Sequence, residues 1–311
     1  MLGKLTKKVK NKIFYLIHKA KIRERRKTFG YKNADKTYYI IRRESSGGIF
    51  SILNTTLGHI NYAISHQYIP VVDITNLTSN WVGDDKGNAW EFFFEQPGQT
   101  VLDEVYHSKH VILSNMGYKD PSPEYYMDCL RDDGKIQFWH NLYKKYIHFT
   151  PQVNQYILTK EREILGNKKN VLGVLCRGTD YTGKRPGGHP VQPELEEVEE
   201  KVKETAEKFQ CDALFLATED VDILNFFKNM ILDIPLIYIE TERVQNIGDK
   251  WLSEMVNVQQ KFQMNMDYIA AIHILTKCSC FLAGRTSGSV AVYYMKEGVY
   301  DYVYFWDKGY Y

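Results

Sequence analysis

Charged side chains directly follow an apolar run at residues 171–190, VLGVLCRGTDYTGKRPGGHP. The run predicts a buried strand, and Arg177 stands just past the carboxyl end of that strand. Open α/β sheets hold their ligands at that edge, where a guanidinium can donate two parallel hydrogen bonds to phosphate oxygens. The segment therefore predicts an anion site. Asp180 in this loop is a candidate base or a residue that only orients the Arg177 loop, while His189 either contacts the ligand or lies exposed in the loop.

A second segment, GRTSGS at residues 284–289, joins a predicted strand to a predicted helix. Backbone N–H groups and hydroxyls converge there on a helix N-terminus, which favours an anion such as a diphosphate. The alternative is that the hydroxyls only cap the helix. The candidate ligand-binding residues of this segment are Arg285, Thr286, Ser287, Gly288 and Ser289.

Paired glycines, Gly47 and Gly48, follow a predicted strand at residues 37–42. Because glycine lacks a Cβ, such a pair lets a ligand approach the backbone closely. Any tight turn between a strand and a helix can also contain two glycines. The pair is therefore a candidate contact whose function depends on the other sites.

Carboxylates stand at two further places in the second half of the chain. Thr218, Glu219 and Asp220 follow a predicted strand, and Asp267 lies in the helix before the GRTSGS segment. These carboxylates could accept hydrogen bonds from the ring N–H groups of a nucleotide base. They could equally cap a helix, with no ligand involved. Both interpretations stay open.

The elements that must position these residues alternate along the chain. Five strands are predicted in the second half, at residues 171–176, 213–217, 236–239, 280–283 and 302–305, with helices between them. The first half repeats the pattern with strands at 37–42, 70–73 and 110–114 and a helix at 49–66. Such alternation predicts an α/β protein. We expect two Rossmann-like domains that face a central cleft, at residues 29–166 and 167–311.

Charge is unevenly distributed. Residues 1–28 hold eleven Lys and Arg and one acid, which leaves 29 basic and 37 acidic residues for the rest of the chain. The acidic body does not suit nucleic-acid binding. The arm at 1–28 has apolar residues at helical spacing among lysines, a pattern typical of a helix at an anionic membrane surface. Alternatively, that helix packs on its own domain.

The five cysteines do not form a metal or disulfide pattern. Four lie in or beside apolar runs, which predicts buried reduced thiols and a cytoplasmic protein. No paired CxxC, P-loop, HExxH or serine nucleophile elbow occurs, so neither a metal nor a cofactor is predicted. No run approaches the roughly 20 apolar residues of a membrane span. Localisation at the inner face of a membrane would therefore rest on the basic arm.

These motifs together resemble a known superfamily. It contains the α-1,6-fucosyltransferases, the nodulation fucosyltransferases and the protein O-fucosyltransferases. The segments that carry the resemblance are the Arg177 loop with Asp180 and His189-Pro190, FLATED (215–220), CSCFLAGRTSGSV (278–290), the Gly47-Gly48 turn and YIPVVDI (68–74). The resemblance is weak overall, and it touches both halves of the chain between residues 38 and 295.

The resemblance implies a GT-B fold and an inverting, metal-independent transfer of fucose from GDP-fucose. Arg177 matches the pyrophosphate arginine of the superfamily, and the hydroxyls of Thr286, Ser287 and Ser289 match its phosphate-binding groups. The Gly47-Gly48 turn would contact the donor from the other domain. The chain also resembles bacterial proteins of capsule or exopolysaccharide assembly, which implies a glycan or lipid-linked oligosaccharide acceptor.

The match departs at the general base. Arg185 stands where the α-1,6 enzymes have a glutamate, four residues before the His-Pro pair. Glu44 matches a glutamate that precedes the glycine turn in one protein O-fucosyltransferase type, and we take it as the first candidate. Asp180 is the second. The missing glutamate also supports a different class of function, a catalytically degenerate fold that binds sugar or scaffolds a membrane assembly complex.

Overall fold

The computed structural model describes most of the chain, namely residues 22–44, 47–123, 130–245 and 251–311 and positions 9, 11, 12 and 19, without the side chains of 253 and 255. The predicted α/β class, two Rossmann-like domains of the GT-B type, is confirmed by two mainly parallel sheets. Within the described residues, no helix has the length and apolar character that a membrane crossing requires. Most of the predicted arm lies outside those residues.

The first sheet has the strand order β1-β4-β2-β3. Its strands are β1 (Arg25–Lys27), β2 (Lys32–Ile41), β3 (Ile69–Val72) and β4 (Ser108–Leu113). Strand β2 pairs in parallel with β3 and β4, whereas β1 runs antiparallel to β4. The predicted arm at 1–28 thus extended too far, because Arg25–Lys27 belong to the sheet. A short, charged strand of this kind suits an exposed sheet edge, where it discourages pairing with another chain.

Helix α1 (Ile49–Ser65) connects β2 to β3 and confirms the helix predicted at 49–66. The following region, predicted as irregular, contains only short turns of helix, including α2 (Thr78–Trp81) and α3 (Leu102–Val105). Its aromatic side chains are nevertheless buried, Trp90 and Phe93 completely. The irregular backbone therefore closes the core of the first domain.

The second sheet has the strand order β7-β6-β5-β8-β9, and every pair in it is parallel. The strands are β5 (Val171–Leu175), β6 (Ala213–Ala217), β7 (Leu236–Ile237), β8 (Cys280–Gly284) and β9 (Tyr302–Trp306). The central strands are buried along their whole length because helices cover both faces, which explains their continuous apolar runs. Cys176, Cys211, Cys278 and Cys280 are buried free thiols, as predicted.

Helices cover the second sheet and extend back to the first domain. They are α4 (Asp133–Tyr146), α5 (Pro151–Leu165), α6 (Leu195–Lys208), α7 (Val221–Asn229), α8 (Leu252–Met255), α9 (Lys261–Leu275) and α10 (Ser287–Met295). Thr150 caps α5, as its sequence predicted. Helix α4 packs on α10 and α5 packs on α9, although both precede the boundary predicted at residue 166. That boundary stays a prediction. The helix predicted near 123–132 lies mostly outside the described residues.

The two domains are joined through α1 and α10. A single apolar cluster includes residues of both helices, so the cores of the domains are continuous. Within this contact, the buried amide of Asn54 donates to the backbone oxygen of Ser287 over 3.2 Å and accepts from the hydroxyl of Tyr294 over 2.9 Å. Asn54 therefore fixes the start of α10 against the first domain.

We expect Asn54→Leu to lower the melting temperature by about 3 °C. The substitution removes both hydrogen bonds in a buried setting, a loss of about 2 kcal/mol in the free energy of unfolding. Scanning calorimetry measures the change. Asn141→Leu on the exposed face of α4 is the control, and we expect it to shift the midpoint by no more than about 2 °C. Equal midpoints for the two variants would contradict a bridging role for Asn54.

Candidate functional site

Strand register brings the predicted site residues to one edge of the second sheet. Leu175 of β5 pairs with Ala217 of β6 and with Ala283 of β8. Because these three strands are parallel and in register, the residues two positions further on also lie side by side. They are Arg177, Glu219 and Arg285. The loops after β5, β6 and β8 therefore form one surface at the carboxyl edge of the sheet.

Arg177 is held by two carboxylates. Its Nη2 lies 3.2 Å from Asp180 Oδ1 and its Nε lies 3.2 Å from Glu219 Oε1, with all three side chains only 12% exposed. Burial lowers the pKa of Arg177, but the charges of Glu219 and Asp180 outweigh burial and raise that pKa. The guanidinium is therefore permanently charged and fixed in direction.

Glu219 and Asp220 bind the loop that carries Arg177. Glu219 Oε1 accepts from the backbone N–H of Gly178 over 3.1 Å and from the Thr179 hydroxyl over 3.0 Å. Burial raises the pKa of Glu219, and the Arg177 charge opposes that rise. Asp220 accepts from the Thr179 N–H over 2.9 Å and also caps α7, while Thr218 accepts from the Asp220 N–H over 3.2 Å. Asp220 thus caps a helix and Glu219 holds the Arg177 loop, and a role for either in reading a base stays a prediction.

The start of α10 is closed by a capping box. The Thr286 hydroxyl accepts from the Ser289 N–H over 3.1 Å, and the Ser289 hydroxyl accepts from the Thr286 N–H over 2.8 Å. Both side chains are buried, so their hydroxyls serve the helix. The N–H groups of Ser287 and Gly288 have no hydrogen-bond partner among the described residues. Those N–H groups and the partly exposed Ser287 hydroxyl are what α10 can offer an anion.

Tyr268 of α9 joins the Arg177 loop to the start of α10, and sequence reasoning missed it. A Cβ at Gly288 would lie 2.2 Å from the Tyr268 hydroxyl oxygen, so this position requires glycine. Burial raises the pKa of Tyr268, whereas the nearby Arg177 charge lowers it. The Phe50 ring of α1 meets the Tyr268 ring edge-on at 5.2 Å. The one signal in the sequence that could have indicated this contact was Gly288, a glycine in the first turn of a predicted helix.

The glycine turn of the first domain reaches the same junction. Gly48 is the N-cap of α1 without any side-chain capping bond, and nothing lies within 4 Å of a Cβ built there. Gly47 accepts from the Trp81 indole N–H over 3.2 Å. Phe50, two residues after Gly48, makes the contact with Tyr268. The structure thus brings the starts of α1 and α10 together, with Glu44 exposed just before the turn.

Arg285 and the backbone of His189 contact the last residues of the chain, while the His189 ring lies 5.6 Å from the Tyr181 ring and 5.9 Å from the Trp251 ring, between centroids. Arg285 is buried, with Nη1 2.9 Å from Asp307 Oδ1 and its guanidinium 4.7 Å from the centroid of the Tyr310 ring. The His189 backbone oxygen accepts from the Tyr311 N–H over 3.1 Å. Burial lowers the pKa of His189, and Asp180 opposes this. The terminal segment therefore holds the far end of the Arg177 loop.

Gln192 is a second residue that sequence reasoning missed. Its side-chain amide donates to the backbone oxygens of Pro190 and Arg285, over 3.1 and 3.4 Å. A Cβ at Gly284 would lie 2.1 Å from Gln192 Oε1, so this contact also requires glycine. Gln192 thereby joins the loop after β5 to the loop after β8. Nothing in its sequence context distinguishes it from other glutamines.

Asp267 is fully engaged inside the second domain. Its carboxylate accepts from the hydroxyl of Thr241 over 2.6 Å, from the amide of Gln263 over 3.0 Å and from the hydroxyl of Tyr156. These contacts tie α5 and the segment after β7 to α9. A role for Asp267 in reading a base stays a prediction. Across the described part of the chain, no group of three His, Cys, Asp or Glu could hold a metal ion.

No protein-family model and no curated protein matches this chain. Solved structures share its overall fold. NodZ α-1,6-fucosyltransferase, soaked with GDP-fucose, is 13% identical over 84% of this chain and 93% of that chain, with a TM-score of 0.49. Fucosyltransferase NodZ from Bradyrhizobium is 14% identical over 84% and 92%, with a TM-score of 0.48. POFUT1 in complex with GDP is 11% identical over 88% and 99%, with a TM-score of 0.49.

We expect Gly288→Ala to lower the free energy of unfolding by about 1–3 kcal/mol, because the new methyl group overlaps the Tyr268 hydroxyl. The double variant Gly288→Ala/Tyr268→Phe removes the overlapping oxygen and should recover most of the loss. Urea denaturation measures both. Gly187→Ala is the matched control, since nothing lies within 4 Å of a Cβ at that position. A single variant as stable as Gly187→Ala would show that Tyr268 does not pack under α10.

Proposed function

We propose that this protein is an inverting, metal-independent glycosyltransferase that transfers fucose from GDP-fucose to a glycan. The observation that carries the proposal is the charged Arg177, fixed by Asp180 and Glu219 beside the unpartnered N–H groups at the start of α10. This arrangement suits the diphosphate of a nucleotide sugar. The choice of GDP and fucose follows from the motif resemblance described above.

The chemistry needs positive charge at the leaving group. The bond between the sugar C1 and the β-phosphate oxygen breaks, a bond from the acceptor oxygen to C1 forms on the opposite face, and GDP leaves with the bonding electrons. Arg177 and the N–H groups of Ser287 and Gly288 would stabilise the charge that develops on the β-phosphate. Because two carboxylates already orient Arg177, little reorganisation is needed during the reaction. In this proposal these groups supply the charge that a metal ion supplies elsewhere.

The acceptor hydroxyl must lose its proton to a base. Asp180 Oδ1 is engaged by Arg177 Nη2 at 3.2 Å, so this oxygen already serves the Arg177 loop. Glu44 is exposed beside the glycine turn of the first domain. The match of Glu44 to the glutamate before the glycine turn in one protein O-fucosyltransferase type supports it as the general base, and Asp180 is then a positioning residue.

A catalytically inactive, sugar-binding or scaffolding protein is the second candidate. Two observations favour it. Arg185 occupies the position where the related sequences have a glutamate, and the hydroxyls of Thr286 and Ser289 are used by the capping box. Such a protein would still bind a nucleotide sugar through Arg177, but it would not turn the donor over.

We expect calorimetry to detect GDP binding with a micromolar Kd in the presence of EDTA. Arg177→Lys keeps a charge but loses the planar fork, so it should weaken binding roughly 10- to 100-fold. Arg162→Met is the control, because Arg162 is exposed on α5 and bonds only to its own helix. Tighter binding of UDP or CMP than of GDP would refute the donor assignment. Unchanged affinity in Arg177→Lys would refute the site.

We expect Glu44→Gln to reduce the release of fucose from GDP-fucose, with water as acceptor, by at least about 100-fold at an unchanged KM. Asp180→Asn weakens the hold on Arg177 and should raise KM as well. Rates come from the GDP produced. An equal loss of kcat in Asp180→Asn, with no effect of Glu44→Gln, would transfer the role of base to Asp180. Absence of turnover in the unaltered protein, with GDP still bound, would favour the inactive alternative.

The proposed setting is polysaccharide assembly at the inner membrane face, where a basic segment would hold the enzyme near a lipid-linked acceptor. We expect the full chain to sediment with vesicles containing phosphatidylglycerol, less so at high salt, and not with pure phosphatidylcholine. Because Arg25–Lys27 pair with β4, the comparison protein should begin at Ile22 and keep that strand. Equal sedimentation of the two proteins would exclude a membrane role for residues 1–21.

A further inference from the structure

Arg43 is a buried arginine without a carboxylate. It follows β2, and its residue is 4% exposed. No ion pair of Arg43 with any described residue exists, whereas Arg177 pairs with two carboxylates and Arg285 with Asp307. Taking a guanidinium out of water is costly unless an opposite charge compensates for it. The missing charge at Arg43 is therefore one that a ligand can supply.

The surroundings of Arg43 form a ligand edge of the first sheet. Its backbone oxygen accepts from the Asn76 amide, after β3, over 2.9 Å. Its guanidinium lies 4.9 Å from the centroid of the Tyr118 ring, after β4. Segments that follow three parallel strands thus meet at Arg43, the kind of edge at which α/β sheets hold ligands. Burial lowers the pKa of Arg43, and only Tyr118 opposes that shift.

Tyr118 is the solvent-facing part of this edge. Its side chain is 58% exposed, unlike the arginine beneath it. An exposed tyrosine can change rotamer rapidly, so the ring can move aside to admit a ligand. Its hydroxyl and ring face also suit contact with a sugar. The pair therefore combines a fixed positive charge with an adaptable aromatic surface.

The edge at Arg43 lies away from the proposed donor site. His59 of α1 contacts the Gly117 oxygen at 3.0 Å, and the Arg43 charge acts on the pKa of His59. Asn54, which faces α10, is five residues earlier on the same helix. Five residues correspond to about 140° of rotation around a helix. Arg43 and the α10 junction are thus on different sides of α1.

We propose that Arg43 and Tyr118 bind the anionic group, a carboxylate or a phosphate, of an acidic sugar in the acceptor. The assignment to the acceptor rests on the proposed function, while the anion site itself does not. Glu44, the proposed base, is the next residue and is exposed. The occupant would place an acceptor sugar close to the proposed base.

Saturation-transfer NMR with three sugars tests the site. Methyl β-glucuronide carries a carboxylate, glucose 6-phosphate carries a phosphate, and methyl β-glucoside carries neither. We expect at least one acidic sugar to bind the unaltered protein and the neutral glucoside to bind at least tenfold more weakly. Comparing the two acidic sugars identifies the anion. Equal binding of all three, or of none, would overturn the proposal.

Variants locate the binding. Arg43→Met should reduce the affinity for the acidic sugar at least tenfold, while Arg162→Met retains it. Tyr118→Ala, at an exposed position, should weaken binding several-fold without changing the melting temperature, and it decides the matter if Arg43→Met does not fold. Unchanged binding of the acidic sugar in Arg43→Met, or in Tyr118→Ala if Arg43→Met does not fold, would overturn the proposal.

GDP calorimetry on the same variants separates the two sites. A tenfold weaker affinity for GDP would assign Arg43 to the donor site instead. Binding of acidic sugars by a protein that does not bind GDP would refute the proposed function alone.

Discussion

The ion cluster of Arg177, Asp180 and Glu219 is the interaction on which the rest of the proposed site depends. Glu219 follows β6 and Arg177 follows β5, so their contact ties two neighbouring loops into one unit. Burying three charges is costly, and removing Arg177 would leave both carboxylates without an opposite charge. The backbone N–H of Gly178 donates to Glu219, which reduces that cost, and the N–H of Thr179 donates to Asp220, which also fixes the loop. A rigid, fully charged guanidinium at a sheet edge is the result.

The second constraint is the close packing at the domain junction. Gly288 meets Tyr268 and Gly284 meets Gln192 at distances that no Cβ would tolerate. Asn54 then binds α10 from the other domain. These contacts align the start of α10 with the Arg177 loop and with the glycine turn before α1. The candidate site is therefore a property of the junction, since neither domain contains all of it.

The buried arginines of the two domains differ in whether a carboxylate of the protein neutralises them. Arg177 and Arg285 are neutralised by carboxylates of their own domain, and Arg285 thereby holds the end of the chain against the Arg177 loop. Arg43 has no such partner. An internally paired arginine can orient a loop or share a ligand, whereas an unpaired one needs an anion from outside. In the first domain, therefore, the charge of Arg43 is one that an anionic ligand can neutralise.

The sequence by itself determined the elements and the sheet edge at which the site lies. Apolar runs that end at Arg177, Thr218 and Arg285 specify buried parallel strands, because local patterning decides which residues a helix-covered sheet can bury. The start of α5 at Thr150 could be predicted because a helix cap depends only on neighbouring residues. Only the tertiary structure decided which polar groups bond to other parts of the protein and are therefore not available to a ligand. Three features depend on residues far apart in the chain: the contacts of Asp267 with Tyr156 and Thr241, the pairing of Arg285 with Asp307, and the packing of Tyr268 against Phe50. Pairing of Arg25–Lys27 with β4, likewise, follows from an open sheet edge that the local pattern of a basic arm does not reveal.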